Sequence, residues 1–427
     1  MQVKKQSSPE YAYYDKMAEL KRKMPVPWMY LAGSCILWMF LAWAMYRGVI
    51  YGLIYMRLDD SDLQGFCEGE FSEDPTENFD RLQDVPKGDA WSILPALGLS
   101  AKKRPKQESA EVRNSLSETT KDAFPPIVTA VTSDDFLAVQ GLVHQIKTQI
   151  RPMYKDKSDI KFIIYQMSLT GSEVNVLSRH CDCIVRSVEE TKFPTHVLDW
   201  SIYSWKAVLI QLVLKEFGSV LWMDPSSRLF PNYLYRAVAL AEQRGYVLWP
   251  EESQSTVLAM TNPDTFKFYK EYRCTFKDTL IIDSSAMLFH GKDLTLRGIM
   301  TPWLKCVLTK SCVAPPQSRR DDCLTSRLPL YTGCHRYDQS ALSIVVNRLL
   351  VFSENTEKLV PKFRLAERVN LLEEYFPERP WTRKHRDYAI YAAIAFVFCM
   401  FFISIFGTFF LECLGYRFRT KKSGSNV

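Results

Sequence analysis

Short apolar runs alternate with amphipathic stretches through the middle of this chain. Residues 127–131, Ile-Val-Thr-Ala-Val, read as a strand. Ser133, Asp134 and Asp135 then open a helix as an N-cap cluster, with Phe136, Val139, Leu142, Val143, Ile146 and Ile150 at helical spacing. Further strands are predicted at 160–165, 183–188, 219–223, 246–249 and 286–290, and further helices at 172–180, 203–217, 230–244, 293–309 and 338–351. Strands alternating with helices of about 10 to 15 residues indicate a mostly parallel sheet covered on both faces. Glycines at 218 and 245 close the two helices that precede them.

Two stretches break this rhythm. Residues 28–46 carry no charge, and after Arg47 the apolar character continues to Met56; residues 388–410 are also uncharged. A helix needs about 20 apolar residues to cross a bilayer, so both read as membrane spans. A cleaved signal peptide has a shorter apolar core nearer the N-terminus, which favours a retained anchor for the first. A GPI signal ends apolar, whereas Arg417, Arg419, Lys421 and Lys422 follow the second. Lys4, Lys5, Lys16, Lys21, Arg22 and Lys23 precede the first span, and Asp59, Asp60, Asp62, Glu68 and Glu70 follow it. The positive-inside rule then puts both termini in the cytosol and the central region in the lumen. The expected organisation is a cytosolic tail (1–27), a signal anchor (28–56), a luminal stem (57–122), an α/β domain (123–355), a luminal juxtamembrane segment (356–386), a second span (387–411) and a cytosolic tail (412–427).

Of the eleven cysteines, Cys35, Cys399 and Cys413 lie in or beside the spans. The even-numbered remainder, Cys67, Cys181, Cys183, Cys274, Cys306, Cys312, Cys323 and Cys334, suits disulfides in an oxidising compartment. Their spacing is too loose for the usual zinc template. No Asn-x-Ser/Thr sequon occurs. A net charge of +6 over 427 residues demands no nucleic-acid partner, and the basic run at 102–106 reads as a solvated charge run within the stem.

Candidate chemistry is sparse. Gly-x-Ser-x-Gly, a P-loop, Gly-x-Gly-x-x-Gly and His-Glu-x-x-His are all absent. What stands out is Asp224, at the end of an apolar strand and followed by Pro225 and Ser226. Open α/β sheets bind ligands at that edge, and a carboxylate there suits a divalent cation that also holds a diphosphate. A turn aspartate before proline is the structural alternative. Asp338 and Gln339 open the last helix, where an acid serves either as an N-terminal cap or as a site carboxylate. His335 and Arg336 just before them are candidate phosphate contacts. Lys206, in the first turn of the helix leading to Asp224, has a side chain long enough to reach a phosphate bound at that edge.

These residues carry a resemblance. Trp205 to Gln211, Gly218 to Asp224 with Ser226 and Arg228, Trp303 to Cys306, and the run Cys334-His-Arg-Tyr-Asp-Gln-Ser-Ala-Leu342 resemble the GT-A class of nucleotide-sugar glycosyltransferases. They look closest to an uncharacterised metazoan, nematode-rich family of membrane-anchored glycosyltransferase-like proteins. The resemblance covers about residues 125–350 and implies a GT-A-like, Rossmann-like α/β domain. It also implies a nucleotide-diphosphate sugar as donor, with Asp224, Ser226, Lys206 and Arg228 on the donor side. Asp338 would act as catalytic base, and His335, Arg336 and Gln339 would contact acceptor or phosphate. The acceptor would be a glycan, a protein or a lipid, in the Golgi or ER membrane. Many GT-A enzymes hold Mn2+ or Mg2+ on an Asp-x-Asp pair. Here Ser226 replaces the second acid, which leaves Asp224 as the one metal ligand if a metal binds. Residues 165–167, Tyr-Gln-Met, also lack the acid that often follows the second strand's tyrosine. A catalytically inactive binder on the same fold, and an unrelated two-span protein with a disulfide-bonded binding domain, remain as rivals.

Overall fold

The computed structural model describes residues 71–99, 124–154, 160–188, 192–320, 333–350, 363–369 and 374–377 with short gaps, together with isolated residues and helical stretches within 37–47 and 390–400. The chain divides into a small unit, residues 1–66, and a compact body, residues 67–427.

Among the described residues of the body, six strands form one sheet in the order β3-β2-β1-β4-β7-β6. β1 (Ile127–Val131), β2 (Phe162–Gln166), β3 (Ile184–Ser187) and β4 (Ser219–Met223) run parallel. β7 (Ala286–His290) runs against β4 and β6 (Tyr246–Val247). The sheet is therefore mostly parallel, as the alternating pattern predicts. β5 (Ser227–Leu229) leaves the main sheet and pairs antiparallel with β8 (Ala366–Arg368).

The period-two geometry of strands splits the core in two. Val128, Ala130, Ile163, Tyr165, Val220 and Trp222 face one cluster, while Ile127, Val131, Phe162, Ile164, Leu221 and Met223 face the other. Both sides of β1 are fully buried, which explains its unbroken apolar run. On the first side lie α1 (Pro75–Gln83), α4 (Trp205–Phe217), α6 (Thr301–Val307) and α7 (Asp338–Leu350). On the second lie α2 (Phe136–Gln145), α3 (Gly171–His180) and α5 (Pro231–Arg244). α3 opens with a reciprocal capping box between Thr170 and Glu173.

Several expectations need correction. The folded body extends past the expected 123–355 domain at both ends. Within the expected stem, Leu82, Val85, Leu94, Leu97 and Leu99 are buried in the first core cluster. Within the expected juxtamembrane segment, Phe363, Leu365, Ala366 and Phe376 are buried in the second. Hydrophobic periodicity is weak in such short pieces, so their burial is set by tertiary packing. The expected helix 293–309 is two pieces: Leu294–Met300 forms π-type turns before α6 begins. Pro302 in the first turn of α6 has no N–H to continue the regular ladder. Disulfides join Cys181 to Cys183, Cys306 to Cys312, and Cys323 to Cys334, and Cys274 is disulfide-bonded as well.

Both expected spans lie for the most part outside the described residues. Among those described, no helix is long and apolar enough to cross a membrane.

Candidate functional site

A cavity of about 410 Å³ opens at the carboxyl ends of β1, β2 and β4. Three of the chain segments that line it do so because they leave the sheet or enter a helix there. β4 ends at Met223 and delivers Asp224, whose N–H donates to the Ser285 carbonyl at 2.7 Å. The first turn of α4 delivers Lys206, and the first turn of α7 delivers Asp338 and Gln339.

Lys206 is only 3% exposed, yet it lines the cavity with its ammonium anchored on two close oxygens. Nζ donates to Asp224 Oδ1 at 2.9 Å and to the Ser284 carbonyl at 3.2 Å. It also lies 5.6 Å from the Trp222 ring centroid and 5.8 Å from that of Tyr203. Trp222 Nε1 donates to the same Asp224 Oδ1 at 3.0 Å. Asp224 Oδ2 faces Arg368 of β8 at 3.8 Å, and Arg368 also lies 3.7 Å from Asp283. Asp224 is thus held between a buried lysine and a half-exposed arginine, and a buried charge pair needs such additional hydrogen bonds to offset its desolvation.

Asp338 is in a different situation. Its carboxyl is buried, and Oδ2 has no hydrogen-bond partner among the described residues. Burial pushes it up to about 7; Lys206 pulls the other way and Asp224 adds to the rise. Asp135, at the end of the turn after β1, also lines the cavity. Burial raises its carboxyl as well, opposed by a 2.7 Å hydrogen bond from the Thr132 hydroxyl. A carboxyl poised near neutrality in a cleft is suited to accept a proton.

The segments that deliver these groups are strained. Tyr203, three residues before Lys206, has φ +59°, and Tyr337, immediately before Asp338, has φ +48°. Both rings line the cavity. Left-handed backbone at a bulky residue costs about 1–3 kcal/mol and persists where the surroundings enforce it. Arg320 lies over the Tyr203 ring at 4.6 Å, and Arg336 approaches Glu251 at 3.8 Å; both guanidinium groups line the same cavity.

The structure brings Asp224, Ser226, Lys206, Arg336, Asp338 and Gln339 to one cavity. Gln339 uses its amide on the Ile282 carbonyl at 2.7 Å. Two expected residues fall elsewhere. His335 is fully buried and does not line the cavity. Nδ1 accepts from the Asn262 N–H at 3.1 Å, so Nε2 carries the proton and donates to the Val313 carbonyl at 2.9 Å. Burial lowers it to about 4, which keeps the ring neutral and corrects the expectation of a phosphate contact. Arg228 spends its guanidinium on the carbonyls of Pro225, Ser227 and Ala138, so its position is structural. Asp135, Arg320, Tyr203 and Arg368 were not foreseen. Asp135 was legible only as a cap. Arg368 sits in a segment with no regular pattern, and only the β5–β8 pairing brings it to Asp224.

A resident divalent cation does not fit this donor set. Asp224 Oδ1 already accepts from Lys206 and Trp222, and two residues on Ser226 offers only a neutral hydroxyl. Among the described residues no group of three His, Cys, Asp or Glu side chains is placed to hold a metal.

A family described as a protein of unknown function (DUF1647) matches residues 105–211, a stretch that contains Lys206 and ends before Asp224. No curated protein matches the chain. Among solved structures, mouse xyloside xylosyltransferase 1 in its apo form is 12% identical with a TM-score of 0.33, over 53% of this chain and 83% of that one. The mannosyltransferase Ktr4p from S. cerevisiae in complex with GDP is 10% identical with a TM-score of 0.30, over 64% of this chain and 80% of that one. The WbbM bifunctional glycosyltransferase is 13% identical with a TM-score of 0.28, over 43% of this chain; the match spans 35% of WbbM's own length. At these superposition scores the likenesses carry no assignment of activity.

Proposed function

We propose that this chain is a membrane-anchored glycosyltransferase that transfers a sugar from a nucleotide-diphosphate donor to a glycan, protein or lipid acceptor in the lumen of the ER or Golgi. The observation that carries the reading is the sharing of one cavity by the Asp224–Lys206 pair and an Asp338 carboxyl oxygen that has no partner among the described residues. Lys206, Arg336 and Arg368 face the leaving diphosphate, and Asp338 faces the acceptor. In an inverting transfer the acceptor oxygen forms its bond to the anomeric carbon as the bond from that carbon to the phosphate oxygen breaks. The hydroxyl proton passes to Asp338, and the nucleoside diphosphate leaves with the bonding electrons. Anchoring is supported by the charge-free runs at 28–46 and 388–410 and by the basic flank before the first. The described helical residues Leu37, Phe40, Trp43 and Met45, and Ile390, Tyr391, Phe396 and Val397, expose their apolar side chains, as a lipid-facing helix would. Resemblance to a metazoan, nematode-rich family belongs to the same proposal.

The test is a panel of nucleotide sugars offered to the purified full-length chain in detergent, reading nucleoside-diphosphate release and thermal stabilisation. At least one donor is expected to bind and turn over. Asp338→Asn should lower turnover by about 10² to 10⁴-fold while leaving donor affinity in place. If no donor binds or reacts, the reading fails. A second reading, an inactive binder on the same fold, is favoured by Ser226 in place of a second carboxylate. It predicts stabilisation by a donor with no release.

A further inference from the structure

We infer that the cavity grips the donor's diphosphate with the protein's own cations, Lys206, Arg336 and Arg368, and does so without a divalent metal. This rests on the reading of the cavity as a nucleotide-diphosphate site.

The carboxylate that would anchor a metal is already taken. Lys206 Nζ sits 2.9 Å from Asp224 Oδ1, on the side of the carboxylate that faces the first turn of α4. A metal bound there would displace the ammonium from its carboxylate. The lysine is almost wholly enclosed and has only the Ser284 oxygens and the Trp222 and Tyr203 rings left to turn to. Stripping a buried charge of its partner is costly. The remaining oxygen, Oδ2, faces the Arg368 guanidinium. Two residues on, Ser226 offers a neutral hydroxyl, a weak ligand for Mg2+ or Mn2+ beside a carboxylate.

The cations, by contrast, are arranged for an anion. They come from separate segments: Lys206 from α4, Arg336 from the approach to α7, and Arg368 from β8. All line the same cavity. Arg336 Nε is a buried donor with no acceptor among the described residues, and its approach to Glu251, at 3.8 Å, is beyond hydrogen-bond range. Arg368 stands at 3.7 and 3.8 Å from its two carboxylates, also short of a hydrogen bond to either. Guanidinium groups held this way can still form the paired N–H contacts that phosphate oxygens accept. A fixed lysine and two incompletely committed arginines supply the charge that a metal ion would bring to a diphosphate. They do so as part of the fold.

The experiment is isothermal titration of the full-length chain in detergent with UDP, GDP, ADP and dTDP as probes, at constant ionic strength, with EDTA or with excess MnCl2. At least one nucleotide is expected to bind with the same affinity, within about twofold, in EDTA and in MnCl2. Arg368→Gln and Arg336→Gln should each weaken that binding about tenfold or more in both conditions, as loss of a charged hydrogen bond does. Melting curves of the variants without nucleotide separate this from misfolding. Binding that requires MnCl2 overturns the inference and leaves the diphosphate reading standing. Absence of binding by every probe, with and without MnCl2, in a chain that melts cooperatively overturns both. Unchanged affinity in the two arginine variants removes their assignment.

Discussion

Asp338 and His335 stand three residues apart and titrate in opposite directions. Burial raises the Asp338 carboxyl to about 7 and lowers the His335 imidazole to about 4. For Asp338 the folded value lies above the unfolded one of about 3.9. Its contribution to stability is therefore full below about pH 4 and is lost as pH rises through about 7. Asp338→Asn should melt higher than the parent above pH 7 and lose that advantage towards pH 4, each unit of separation being worth about 1.4 kcal/mol. A melting-temperature profile against pH checks this, and parallel profiles would refute it. For His335 the folded value is depressed, so its contribution is present above about pH 6.5 and lost as pH falls through about 4. His335→Gln should flatten that acid-side decline, measured in the same profile. At this scale the sequence was readable where chemistry follows position: an acid at a strand's end, a lysine in a helix's first turn. It was not readable where chemistry follows enclosure. Nothing in Cys334-His-Arg-Tyr-Asp indicates that the histidine turns into the core while the arginine and aspartate turn to the cavity.

Elements were legible where one local rule governs them. β1, β4 and β7 fall on the residues their apolar runs predict, because each is a buried strand bounded by turn chemistry. Gly218 and Gly245 end α4 and α5 in left-handed conformation, at φ +75° and +98°. Their surroundings differ. A Cβ at 218 would meet nothing within 4 Å, whereas one at 245 would lie 2.4 Å from Thr295 Oγ1, which itself donates to the Gly245 carbonyl. Gly218→Ala should therefore cost about 1 kcal/mol, the backbone term alone, and Gly245→Ala about 2–4 kcal/mol. Thermal denaturation of the two variants reads the difference, and equal losses would show that the threonine gives way freely. β8 was illegible for the converse reason: three residues have no periodicity, and their pairing is decided by β5, more than a hundred positions away.

At the scale of the whole molecule, the cavity depends on chain that lies outside the stretch with regular alternation. Leu82, Leu94 and Leu97 before it, and Phe363, Leu365 and Phe376 after it, are buried. Each such side chain is worth roughly 1.5–3 kcal/mol, against a typical net stability of about 5–15 kcal/mol. A fragment of residues 123–355 should aggregate or fail to melt cooperatively, whereas residues 67–386 should give a single cooperative transition. Calorimetry on the two fragments decides. A domain boundary drawn where strand–helix alternation stops thus leaves out material that the core requires.

The two sides of the cavity also differ in how firmly they are held. Asp224 and Lys206 are rooted in β4 and α4, in the middle of a sheet buried on both faces. Arg368 arrives on a ribbon of two three-residue strands, and a two-stranded ribbon is marginal by itself. Native proteins open in parts, the least supported first. In hydrogen exchange the amides of β8 should therefore lose protection well before those of β4. A brief excursion that frees the ribbon would unfasten Arg368 from Asp224 and widen the mouth of the cavity, while the lysine kept its hold below.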